Sequence, residues 1–213
     1  MANVALDELL LEAERAHGHL CAGQVLGVRM AMLGLRLIDL PDPRSDRDAR
    51  KRLVTFVEID RCATDAIAVV TACRLGKRAL KFRDWGKMAA TFVDLGAGAA
   101  LKPPQPDFSG SRAVRIAALE SSKTRAADLY PQLHKNEAQM RAYRELPDDE
   151  LFSAQWVRVP LAASEMPGFK AGRVSCAKCG EGISFAREIV TADGHILCQP
   201  CADAAMQYWH AVD

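Results

Sequence analysis

No stretch of this chain stays apolar long enough to cross a bilayer. The best, Ala63 to Ala72, runs for about ten residues against the roughly 20 that a membrane helix needs, and Asp65 interrupts it. An excess of one charge is missing too. Lysine and arginine number 28 against 27 acids, so no bulk positive field draws the chain to nucleic acid or to an anionic membrane, and small or protein partners are favoured. The N-terminal segment MANVALDELLLEAERAHG lacks the basic head and unbroken apolar run of a signal peptide. Export is therefore not expected, and a cytoplasmic location is. Internal repeats and low-complexity tracts are also absent.

Cysteine, by contrast, is well represented: there are seven. An odd number cannot pair fully, and in a reducing compartment these residues read as thiols and metal ligands rather than disulfides. With 213 residues, 49% hydrophobic and 26% charged, the chain can bury one main core and carry a small accessory unit.

Periodicity gives the elements. Apolar residues at Leu6, Leu9, Leu10 and Ala13, then at Leu26, Met30, Leu33 and Leu37, mark two helices, separated by His17-Gly18-His19-Leu20-Cys21. Pro41 and Pro43 break the second, and DPRSDRDARKR reads as a solvated segment or short exposed helix. Leu53 to Ile59 is β-rich and leads into a helix from Cys62 to Arg74. Leu80–Phe82 and Ala89–Leu95 read as strands of a hairpin turning at Asp84-Trp85-Gly86-Lys87. Gly96 to Gly110 is a proline-bearing loop, followed by a short strand through Val114, Ile116 and Ala118, a polar helix over 132–145, a turn at Pro147 and a last strand over Trp156–Val159. The expected fold class is α+β, with helices packed on an antiparallel sheet and a small C-terminal treble-clef zinc finger. The expected division is a core over 1–160, a linker over 161–173 rich in proline and glycine, and the finger over 174–213.

The finger rests on Cys176, Cys179, Cys198 and Cys201, spaced C-x2-C-x18-C-x2-C. Each pair can chelate one ion while the intervening residues form a hairpin, here Ile183–Phe185 with Ile196–Leu197 around Asp193-Gly194. A terminal helix over Ala202–Trp209 would complete the unit. Four thiolates fill a tetrahedral shell and leave no position for water, so the zinc would be structural. Only Lys170, Arg173, Lys178 and Arg187 are basic there, too few for nucleic-acid binding, and docking of a partner or of the core suits the finger better.

Two imidazoles and a thiol crowd into His17-Gly-His19-Leu-Cys21. Cys21 would precede a helix, where free amides and the helix dipole favour an anion, making it a reactive thiolate or metal ligand. The competing reading is a packed helix junction. Cys62 also stands at a helix start. Cys73 is about 16 Å along the same helix, so it is either a core thiol or part of another site.

The segments HGHLCAGQVLGVRMA, EIDRCATDAI, TACRLGK and KFRDWGKMAATF resemble the formylmethanofuran dehydrogenase E-subunit family over nearly the whole chain. The family usually has proline after its first cysteine, where this chain has Ala22. The resemblance implies an α+β core, a treble-clef zinc finger, an intertwined homodimer and a metal-binding or active-site cleft lined by His17, His19, Cys21 and Cys62, with Cys73, Asp84 and Lys87 nearby. Three functions fit. One is a metal-binding accessory protein of a redox or one-carbon system, working with a partner protein or enzyme complex, in which the core holds a second transition metal on thiolate and imidazole ligands suited to zinc or iron. Another is a stand-alone enzyme, with Cys21 or a metal-bound water as nucleophile, His19 as general base, Lys87 as electrostatic stabiliser and Asp84 supplying charge beside it. The third is a zinc-finger interaction protein without catalysis.

Overall fold

The computed structural model describes residues 5–96, 112–210 and 212, so the loop expected over 96–110 lies almost wholly outside the described residues. The chain divides into two compact units, Met1–Leu161 and Ala162–Asp213. Among the described residues no helix is long and apolar enough to cross a membrane.

In the first unit α1 (Leu6–His17) ends at Gly18, whose φ of 98° lets its N–H turn back to the Glu14 carbonyl at 2.7 Å. The chain then reverses within a few residues into α2 (Ala22–Leu37), buried along most of its length. A short α3 (Arg47–Arg52), capped by the Asp46 carboxylate, leads into β1 (Leu53–Val57), every residue of which is buried. Next come α4 (Cys62–Thr71), β2 (Leu80–Phe82), β3 (Ala89–Asp94) and β4 (Arg112–Ala118). The unit closes with α5 (Ser121–Leu129), α6 (Lys135–Glu145), α7 (Asp148–Leu151) and β5 (Phe152–Trp156).

The fold class is α+β, but the sheet is mixed, in the order β2-β1-β3-β4-β5. The expected β2–β3 hairpin does not form. β1 lies between the two, parallel to β2 and antiparallel to β3. The all-buried strand takes partners on both sides, and β1-α4-β2 is a parallel crossover of the kind that needs an intervening helix. Residues 83–88 instead fold back over the end of β1: the Arg83 N–H bonds to the Val57 carbonyl at 2.9 Å, and those of Trp85 and Lys87 to the Glu58 carbonyl at 3.2 and 3.1 Å. The Glu58 carboxylate, almost fully buried, is held by both arms of the Arg115 guanidinium on β4 at 2.7 and 2.6 Å.

Helix α2 is the hub, packing on α1, α4, α6 and the β3–β4 part of the sheet. Its Arg29 collects the carbonyls of Tyr143 and Leu146 at the end of α6 and the Asp148 carboxylate of α7, at 2.8, 2.9 and 2.8 Å. Against α4 the approach is close enough to require glycine. A Cβ at Gly27 would lie 2.5 Å from the Ala63 carbonyl oxygen and 2.8 Å from its Cα, which are backbone atoms that cannot swing away.

The second unit holds two small antiparallel hairpins, β6 (Val174–Ser175) with β7 (Gly182–Ile183) and β8 (Ile189–Val190) with β9 (Ile196–Leu197), followed by α8 (Gln199–Ala202). The second hairpin therefore begins at Ile189 rather than Ile183. The terminal helix expected over Ala202–Trp209 is only one turn long, with Cys201 inside it. Asp203 adopts extended backbone there and uses its carboxylate to cap the following 3-10 turn, Ala204–Met206.

Substituting Gly27→Ala should destabilise the first unit by about 1–3 kcal/mol through overpacking. Gly76→Ala, where a Cβ meets nothing within 4 Å, should stay within about 0.5 kcal/mol of the parent. Urea midpoints measure both, and equal midpoints would contradict the close α2–α4 approach.

Candidate functional site

The same crossing brings two helix starts together. Cys21 is the residue before α2, with extended backbone, and Cys62 is the first residue of α4. A Cβ built at Gly23 would lie 3.4 Å from Cys62 Cβ and 3.7 Å from Cys21 Sγ, so both cysteines border one small space over the helix N-termini. Both are half-buried. Burial, and then the neighbouring Cys21 thiol, push the Cys62 thiol above its ordinary value, because two thiolates so close cannot form independently.

His17, at the end of α1, reaches over to α4. Its Nδ1 bonds to the Asp65 carboxylate at 2.8 Å, and its ring centroid lies 4.8 Å from that of His19. His17, Asp60, Arg61, Cys62, Thr64 and Asp65 line a cavity of about 360 Å³. Sequence reasoning gave Asp65 no role. The available signal was its spacing: three residues after Cys62 on a helix, its carboxylate falls on the same face as the thiol.

The other expected site residues lie elsewhere. Cys73 is a core thiol, 1% exposed, with its Sγ 3.4 Å from the Thr55 hydroxyl, and burial raises its pKa. Asp84 and Lys87 sit on the exposed segment after β2, where the Lys87 ammonium lies 5.7 Å from the centre of the Trp85 ring; neither lines the cavity.

In the second unit the ligand atoms of Cys176, Cys179, Cys198 and Cys201 all lie within 4.8 Å of one another, and no other such group of three or more occurs among the described residues. His17, His19, Cys21 and Cys62 share a region without converging that tightly. The finger cysteines fit a metal: Cys179 and Cys198 Sγ are 3.9 Å apart, against about 3.8 Å between sulfurs of a tetrahedral shell with 2.3 Å zinc–sulfur bonds. Cys176 is 2% exposed, and backbone N–H groups of Cys179 and Cys198 favour its thiolate, lowering its pKa to about 6. The Cys201 thiol, crowded first by Cys198, is pushed up to about 12. A cation would relieve that crowding by taking the place of the protons.

An α+β unit with paired helix-start cysteines, followed by a unit with a four-cysteine cluster, defines a class of two-part, metal-binding protein. Residues 16–153 match the family described as "FmdE, Molybdenum formylmethanofuran dehydrogenase operon", and the chain belongs to that family. An FmdE-like protein of the tungsten formylmethanofuran dehydrogenase type, from Syntrophus aciditrophicus, shares the fold at a TM-score of 0.59 and 18% identity, over 95% of this chain and 94% of that one. A probable S-adenosyl-L-methionine-binding protein from Archaeoglobus fulgidus is 35% identical over 88 residues, 41% of this chain. That match spans only 24% of the curated relative's length.

In the folded, metal-free protein, iodoacetamide should modify Cys21 and Cys62 at least about tenfold faster than Cys73, since the buried thiol is both shielded and protonated. Peptide mass spectrometry over a time course reads this directly. Equal rates would mean that the helix-start pair is as enclosed as the core.

Proposed function

We propose that this chain is a cytoplasmic metal-binding accessory protein of a redox or one-carbon system. In this reading the finger holds a structural zinc, and His17, His19, Cys21 and Cys62 hold a second transition metal. The observation that carries the reading is the meeting of the α2 and α4 starts, which sets two thiols against one cavity beside an oriented imidazole. With Asp65 on Nδ1, the Nε2 of His17 is left as the coordinating nitrogen, an arrangement in which the outer carboxylate fixes the ring and strengthens the donor. Two thiolates and two imidazoles suit zinc or iron. His19, on the exposed connection between α1 and α2, would turn inward to complete the set. A homodimer and a partner protein docking at the finger are part of the same reading. They are supported by the apolar residues Ile189, Val190, Tyr208 and Trp209 that the second unit exposes. Asp84 and Lys87 have no part in it.

The purified chain should contain two metal ions. Cys21→Ser or His17→Ala should lower this to one with the core still folded, and Cys176→Ser should remove the finger's ion while leaving the first unit's helical signal in place. Metal analysis beside circular dichroism tests all three. One metal in the parent chain, lost with Cys176→Ser, would contradict the second site.

A further inference from the structure

Cys21 and Cys62 have a capacity that does not depend on a metal. We propose that they form a reversible dithiol that exchanges with low-molecular-weight disulfides entering the cavity beside α4. The geometry is local and specific to this pair: one point above Gly23 lies 3.4 Å from Cys62 Cβ and 3.7 Å from Cys21 Sγ, so rotation about the side-chain bonds can bring the sulfurs together. Both residues lie at helix termini, where side-chain rearrangement disturbs no helical turn. Cys73 is sealed in the core, and the finger cysteines are gathered as a tetrad.

The cavity assigns the order of events. Its lining includes Cys62 and omits Cys21, so Cys62 meets the incoming molecule. The Cys62 thiolate attacks one sulfur of RS–SR, forming a Cys62–S–S–R mixed disulfide and expelling RS⁻, which takes up the proton that Cys62 gave up. The Cys21 thiolate then attacks the Cys62 sulfur. The mixed disulfide breaks, the Cys21–Cys62 bond forms, and a second RS⁻ leaves to accept the proton from Cys21. Two protein thiols are oxidised and one external disulfide is reduced to two RSH. The closeness of the pair is also felt electrostatically: after burial, Cys21 is the main influence holding the proton on Cys62.

The test uses the full chain with its metal content counted beforehand. It is incubated with oxidised glutathione, alkylated, digested and sequenced by tandem mass spectrometry, with fragmentation separating Cys62 from Cys73 in their shared peptide. The parent should show a Cys21–Cys62 linkage. Cys21→Ser should trap glutathione on Cys62, and Cys62→Ser should carry roughly tenfold less glutathione on Cys21 than that, because the cavity-facing attacker is gone. No linkage in the parent overturns the proposal even if a variant fails to fold, and so does an unmodified Cys62 in a folded Cys21→Ser chain. Two metals with no linkage removes this proposal alone, whereas a linkage with one metal removes only the second metal site.

Discussion

Everything proposed for the first unit depends on the backbone-to-side-chain contact where α2 passes α4 at Gly27. The approach allows no Cβ, and it fixes the two helices so that their first turns start side by side. Cys21 and Cys62, some forty residues apart in sequence, thereby become neighbours. An alanine-sized spacer would push the helix starts apart and leave each thiol alone at its own N-terminus. Packing thus creates the chemical pair, and the pair's altered proton affinity follows from that packing and from burial.

The sheet supplies the rigidity behind this contact. α4 is the crossover between the parallel strands β1 and β2, so its start is anchored to the most buried strand of the sheet, and Phe92 of β3 lies directly under Gly34 of α2. Immediately after β1, Glu58 is locked to Arg115 while its backbone carbonyl holds residues 85 and 87. Only two residues, Asp60 and Arg61, then separate Ile59 from Cys62, and both line the cavity. The chain at the site has little slack between a buried ion pair and a helix start.

Much of this was legible in the sequence, for identifiable reasons. The stripes of α1 and α2, the β-branched run of β1 and the twin C-x2-C pairs are local patterns, and local patterns survive folding. The failures were tertiary. Two short strands around a glycine turn read as a hairpin, yet whether β2 pairs with β3 or with β1 is decided by which strand is most buried, and that is not encoded between residues 80 and 95. In the second unit the apolar residues after Cys201 suggested a long helix, but Asp203 caps a new turn instead of continuing the old one. Asp65 was visible only as a charge that breaks an apolar run. Its contact with His17 spans 48 residues and required the α1–α4 packing to exist first.

The two candidate metal centres differ in how much the fold prepares them. The finger presents four sulfurs already at tetrahedral spacing, with backbone N–H groups pointing at Cys176. The core presents two thiols and one oriented imidazole, with His19 still outside. X-ray absorption at the zinc edge of the zinc-loaded protein weighs these directly. A four-sulfur finger averaged with a core of two sulfurs and two nitrogens gives a mean shell of about three sulfurs and one nitrogen per zinc. That mixed shell is the predicted result, and an all-sulfur shell would contradict a metal held between α2 and α4.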